Sequence, residues 1–330
     1  MTPEPTTTDR PATTRTLWSR LPDRVGRGAR ILAWLVLISN ILIVGTGGLV
    51  RLTGSGMGCS TWPYCTENSL VPTQELGIHG LIEFGNRTLT GVLIVIALLA
   101  FLAVVRVPRR DLRGMALANG IGIILQAVVG GVVVWLHLPP TLVGIHFVIS
   151  AALVANGAAL VSRAYSQGGP RRRVVGPLYA ALAWATAVAV ISTVLIGILL
   201  TGSGPHAGDD EAARNGLDPV LWQHIHAWPA YVTFALTALL LVASWRTPAI
   251  LRLRLWVGLL LAVEIVQIAV GIWQARAGLP IALVNIHMVL AVTLVAAMTA
   301  VIVHLTVPRE AGEPIAPARA ADASRPQPAA

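Results

Sequence analysis

The chain of 330 residues contains no lysine, which leaves arginine as the cation from which a charge map can be read. Charge of either sign is scarce. Asp, Glu, Lys and Arg together make up 12% of residues, against about 25% in a soluble domain, and this excludes an ordinary water-soluble globule. Cysteine occurs twice, at Cys59 and Cys65, within one short segment. A thiolate zinc cluster inside the apolar segments is thereby excluded. What is abundant is apolar: 55% of residues are hydrophobic. Stretches of about 20 apolar residues, enough to cross a hydrocarbon core, recur near 31–50, 79–105, 113–136, 141–162, 177–201, 219–243, 254–275 and 280–305. The expected fold is all-α, a polytopic membrane protein of eight transmembrane helices.

Arginine is unevenly placed. Arg10, Arg15, Arg20, Arg24, Arg27 and Arg30 precede the first span. Arg106, Arg109, Arg110 and Arg113 follow the second, Arg163, Arg171, Arg172 and Arg173 the fourth, and Arg246, Arg252 and Arg254 the sixth. Arg309, Arg319 and Arg325 close the chain, whereas the opposite loops hold only Arg51, Arg214 and Arg276. Under the positive-inside rule both termini are cytoplasmic, and the expected location is the plasma membrane. The net charge of +9 is then mostly a topology signal. No nucleic-acid partner is expected, because no basic face on a soluble domain accompanies it. Residues 1–30, rich in Thr, Pro and Arg, and 307–330, rich in Ala and Pro, read as disordered cytoplasmic tails.

The line VVGGVVVWLHLPPTLVGIHFVISAALV reappears, blurred, as IAVGIWQARAGLPIALVNIHMVLAVTLV. Gln126, Gly130, Pro139 and His146 correspond to Gln267, Gly271, Pro280 and His287, each displaced by 141 positions. The chain thus reads as a tandem duplication, with halves at 31–163 and 177–306 joined by a cytoplasmic linker at 164–176. Four spans per half is an even number, so both halves enter the membrane in the same sense. They are expected to form two four-helix bundles related by a pseudo-twofold along the membrane normal.

The even-numbered spans carry histidine near their starts: His79, His146, His226 and His287. The last three lie about five to seven residues into their spans, so they sit roughly 8–11 Å inside the outer boundary. Ionisable groups inside a membrane are functional candidates. Two imidazoles on neighbouring helices and an apolar slot fit haem, with iron held from both sides. Zinc prefers three or four ligands that include thiolate or carboxylate. His137, His206 and His304, at span ends or in a loop, read as interfacial. His224 is expected to face about 200° away from His226.

The halves differ chemically. Span 2 reads GIHGLIEFGNRTLTG, with Glu83 and Arg87 four apart on one face, able to pair. That pair reads either as a structural ion pair or as a carboxylate facing the cofactor slot for proton transfer or cation stabilisation. Span 6 reads WQHIHAWPA and places His226 where the first half has Asn86. The first half therefore offers His146 with an open position, and His79 as a substitute ligand if the macrocycle sits higher. Gln126 and Gln267 read as partners of the buried histidines or of porphyrin substituents, or as interhelical hydrogen bonds. Glu264 has no acidic counterpart in the first half and receives no role. Pro229 is expected to bend span 6. Cys59 and Cys65 lie in GMGCSTWPYCTEN, on the oxidising side, and read as a loop staple or as a redox-active pair. The corresponding loop TGSGPHAGDDEAARNGLDPV lacks cysteine.

Taken together, GGLVRLTGSGMGC with its cysteine loop, IEFGNR, IHFVIS and the histidines of spans 6 and 8 resemble the haem A synthase family, in its bacterial type with a single cysteine pair, over residues 31–305. The resemblance implies a membrane oxidoreductase that converts the C8 methyl of haem O to a formyl group, giving haem A for terminal oxidases. It implies a haem b cofactor whose iron is ligated by His226 and His287, with both haem sites near the outer face. It implies haem O substrate on His146, Glu83 as the acidic residue of catalysis, Arg87, Gln126 and Gln267 in support, and a disulfide between Cys59 and Cys65. Many members read E-x-x-H-R where this chain has Glu83-Phe84-Gly85-Asn86-Arg87. The implied partners are membrane lipid, haem O synthase as a source of substrate, an electron carrier of unknown identity and a second copy of the chain. Two other readings compete. A non-catalytic transmembrane b-type electron-transfer cytochrome would place haems at both leaflets, and a parallel-repeat transporter would bind no pigment.

Overall fold

A computed structural model describes residues 17–245 and 251–309. Eight long α-helices dominate it: α1 Arg27–Leu52, α2 Gly77–Leu102, α3 Arg110–Trp135, α4 Pro140–Ala164, α5 Pro177–Ser203, α6 Pro219–Trp245, α7 Leu251–Arg276 and α8 Ile281–His304. All eight are long and apolar enough to cross a membrane. At 1.5 Å per residue each exceeds the roughly 30 Å of a hydrocarbon core. Apart from one short strand pair, the described fold is all-helical, and its eight apolar helices fit a multi-pass membrane protein, as the composition predicts.

Local signals set the boundaries. Pro140, Pro177 and Pro219 occupy the first helical position of α4, α5 and α6, where the missing N–H is not needed. Asp218 Oδ1 accepts the Val220 N–H at 2.8 Å and caps α6. The helix runs unbroken through Pro229. The α3–α4 and α7–α8 turns share an unusual backbone: Leu138 and its repeat partner Leu279 both have φ of 59°. A branched side chain in that region is strained, and the same strain recurs at both matched positions.

Packing follows the two halves. Helix α1 packs on α2 and α4, and α3 on α2 and α4; α5 packs on α6 and α8, and α7 on α6 and α8. The halves meet where α8 lies against α1 and α4, and α5 against α4. One apolar core, including Val36, Leu112, Val154 and Val292, joins α1, α3, α4 and α8. A second, including Val190, Leu240, Val257 and Val301, joins α5 to α8.

The ends of α1, α3, α5 and α7 share the face that carries the disulfide loop. Here Gly56 N–H donates to Gly208 O at 2.7 Å, so the loops of the two halves are joined. At the opposite face, β1 Arg171–Arg173 pairs antiparallel with β2 Thr306–Pro308. Those segments were expected to belong to a linker and to the boundary of a tail. Likewise, residues 17–30, expected within a disordered tail, include a short 3-10 turn at Leu17–Arg20 and the start of α1. Arg10, Arg15, Arg246, Arg319 and Arg325, with the remainder of both tails, lie outside the described residues.

Candidate functional site

A cavity of about 1000 Å³ opens between the halves, at the top of the usual range for a small-molecule site. Its walls include Glu83, Asn86, Arg87, Gln126 and His146 from the first half. His226, Glu264, Gln267 and His287 come from the second. The structure thus brings nearly all the residues singled out in the sequence to one space.

In the second half the imidazoles of His226 and His287 face each other, with ring centroids 6.3 Å apart and planes at 73°. Two opposed imidazole nitrogens, each about 2 Å from a shared metal in rings of about 1.1 Å radius, give a centroid separation of about 6.2 Å. The Nδ1 atoms of His146, His226 and His287 are buried without a hydrogen-bond partner. The ring separation fits two imidazoles on one porphyrin iron; the Nδ1 sides of His226 and His287 lie against Gly197 and Gly271, and His287 Nε2 stands 3.4 Å from Gln267 Nε2. Among the described residues no group of three or more His, Cys, Asp or Glu side chains could hold a metal ion, so a zinc cage is not built here.

Glycines make room for these rings, a role not assigned from the sequence. A Cβ at Gly197 would stand 2.8 Å from His226 Cε1, one at Gly271 would stand 3.0 Å from His287 Cε1, and one at Gly130 would stand 3.4 Å from His146 Cε1. Gly130 and Gly271 are repeat partners, and that match was the available signal. Gly197 had none. The matched glutamines also act alike. Gln126 Nε2 donates to His146 O at 3.0 Å, and Gln267 Nε2 donates to His287 O at 3.1 Å. Both reach across to the backbone of the adjacent helix and fix the ligand-bearing turn.

Among the described residues the first half shows no imidazole pair like that of His226 and His287. Asn86 stands at the position corresponding to His226 and accepts a hydrogen bond from Thr46 Oγ1 at 2.7 Å. His79, the candidate substitute ligand, is exposed, pairs with Ser55 Oγ at 2.9 Å and is not part of the cavity wall. Its place near the start of α2 leaves it beside the disulfide loop instead. His224, expected to face away from His226, also borders the cavity, as does the half-buried His206. The space is wide enough to reach both sides of α6.

Glu83 is buried, with 4% of its surface exposed, and it is fully engaged. The Cys59 N–H donates to Oε2 at 2.6 Å. Arg87 donates to Oε1 from Nε at 3.1 Å and also from Nη2. The remaining Arg87 donors hold the loop: Nη1 reaches Thr61 O at 2.8 Å and Tyr64 O at 2.9 Å, and Nη2 reaches Cys59 O at 2.9 Å. Cys59 and Cys65 form a disulfide. The ion pair of the sequence reading is therefore present and borders the cavity, and it is also the anchor of the cysteine loop. Trp62 from that loop lies where a Cβ at Gly131 would fall and meets Trp135 edge-on at 5.6 Å. The loop thereby closes the first-half end of the cavity. Glu264 is 3% exposed, accepts from Thr237 Oγ1 at 2.7 Å and leaves Oε2 unpartnered.

The family model for Cytochrome oxidase assembly protein (COX15-CtaA) matches residues 30–299. Proteins named "Heme A synthase" are similar over part of the chain. That of Exiguobacterium sibiricum is 33% identical over 136 residues, covering 40% of this chain and 45% of its own. That of Halalkalibacterium halodurans is 30% identical over 149 residues, covering 44% and 49%. One from Bacillus cereus is 36% identical over 134 residues, covering 38% and 42%. The chain spans about half the length of the curated relatives it matches.

Proposed function

Because the chain belongs to the cytochrome oxidase assembly protein (COX15-CtaA) family, we propose that it is a membrane oxidoreductase of haem A biosynthesis that oxidises the C8 methyl of haem O to a formyl group. The observation that carries the proposal is the His226–His287 pair, 6.3 Å between ring centroids, in one cavity with His146 and Glu83. His226 and His287 hold a haem b, which supplies one-electron transfer when bound. His146 ligates the iron of the substrate, and Asn86 leaves the opposite side of it less firmly held. That asymmetry suits a ligand that must enter and leave.

Glu83 is the acid–base or electrostatic residue. Arg87 and the Cys59 N–H fix its orientation, so the carboxylate is positioned before substrate arrives. It takes the proton lost from the methyl carbon or stabilises positive charge developing there. Trp62 and the disulfide loop exclude water from that end. The two halves are related by a pseudo-twofold along the membrane normal. The parallel packing of each four-helix set, the equal φ at Leu138 and Leu279 and the paired glutamine bonds support this. The disulfide face lies outside the plasma membrane and both termini lie in the cytoplasm, as the arginine distribution and the oxidised cysteines support. Haem O synthase is the source of substrate; with water as the oxygen donor, converting the methyl to a formyl group releases four electrons and four protons, and an electron carrier removes the electrons.

The test is expression with and without a haem O supply, followed by extraction and mass analysis of bound pigments. Haem A must accumulate only with haem O and only with Glu83 intact. A colourless purified protein would end the proposal.

A further inference from the structure

We infer that Arg51 binds the carboxylate side chains of the macrocycle held between His226 and His287. This rests on the haem reading above and names the group that orients the porphyrin edge. Arg51 closes α1 and lines the cavity. Its Nε donates to His206 O at 2.8 Å and its Nη2 to Thr201 O at 2.9 Å. Both acceptors are neutral carbonyls, and Nη1 makes no hydrogen bond among the described residues. The described ion pairs are Asp23–Arg24, Glu83–Arg87 and Asp111–Arg109, so no described carboxylate neutralises Arg51. Arg87, which also borders the cavity, is already matched by Glu83. Arg214, bonded to Gly204 O and Pro205 O of the same loop, adds positive charge rather than removing it.

A half-buried guanidinium at an apolar cavity without a counter-charge is unfavourable unless a ligand brings the anion. The position fits such a ligand. The ring of His226 lies against Gly197, and Thr201 is four residues on along α5. Arg51 is therefore held about 6 Å further towards the disulfide face than the imidazole pair. A porphyrin carries both its carboxylates on one edge, several ångströms from its metal. With the metal between the imidazoles, that edge turned to the disulfide face meets Arg51. Two carbonyl bonds fix the plane of the guanidinium, and its free donors suit a carboxylate. Arg276, exposed at the rim of the same cavity, extends the positive field there.

The test compares ferric haem b with its dimethyl ester, which keeps the ring and iron but lacks both charges. Each is titrated into the haem-free full-length protein in detergent and followed by the Soret band. The wild type is expected to bind the diacid about tenfold to a hundredfold more tightly than the diester, the range of a charged hydrogen bond. In Arg51→Gln that ratio should fall close to one, and in Arg51→Lys, which keeps charge but loses the planar fork, it should be intermediate. Comparing ratios cancels partitioning of the diester into detergent. Equal binding of both porphyrins by the wild type, or an undiminished ratio in either variant, overturns the assignment. Absence of any Soret shift with either porphyrin in the wild type sinks the haem reading itself, a different result.

Discussion

Substituting alanine for the three ring-facing glycines gives a graded test of the histidine pair. A Cβ at Gly197 would stand 2.8 Å from His226 Cε1, whereas carbon atoms pack at about 3.5–4.0 Å. The imidazole must retreat by about 0.7–1.2 Å or α5 must move. Its opposite ring stands 6.3 Å away, centroid to centroid, almost the separation of two imidazoles that share one metal, so there is no slack to absorb the shift. Misplacing a ligand by about 1 Å lengthens a bond of about 2 Å by half, and haem b affinity should fall at least about a hundredfold. Gly271→Ala, with 3.0 Å to His287 Cε1, should cost less. Gly130→Ala, with 3.4 Å to His146 Cε1, should leave haem b content unchanged. Alanine is the better helix former by about 1 kcal/mol, so helix propensity opposes any destabilisation and isolates the steric effect. The assay is haem stoichiometry together with the low-spin bis-imidazole optical and EPR signature of each purified variant. Full haem content and an unshifted low-spin signal in Gly197→Ala would refute the placement of His226.

Glu83→Gln should lower turnover of haem O by about a hundredfold to ten-thousandfold while haem b content stays intact, as read by product analysis beside the absorption spectrum. His287→Ala should abolish the low-spin signal, and its persistence would reassign the ligand. Asn86→His introduces an imidazole opposite His146, so a second low-spin haem signal should appear on loading with haem, measured by EPR. Replacing Cys59 and Cys65 with serine opens a loop with a sequence separation of 6. It should cost about 2 kcal/mol, read as a lower thermal midpoint and as faster proteolysis near Trp62.

Much of this architecture was legible because membrane crossing imposes a single, long apolar period. Helices α1 to α8 follow directly from it, and the repeat supplies His146 with His287 and Gln126 with Gln267. What stayed hidden depended on contacts between segments far apart in the chain. Gly197 lies in an apolar run where nothing distinguishes it from any small residue, and only the packing of α5 on α6 reveals its use. Arg51 read as a topology exception, because its acceptors on His206 and Thr201 lie in the other half. Glu83 and Arg87 declared their pairing by spacing, but their grip on Cys59, Thr61 and Tyr64 required the loop's path. His79 lies seven residues before Asn86, and that spacing carries no information about the loop that draws it towards Ser55.

The grip on Cys59 is two-handed: its N–H is held by Glu83 and its carbonyl by Arg87. The loop therefore has no hinge at that residue that leaves the carboxylate undisturbed. Prising up the lid and unsettling the acid beneath it are one motion, so whatever opens or cleaves that corner of the molecule reaches the buried charge in the same stroke.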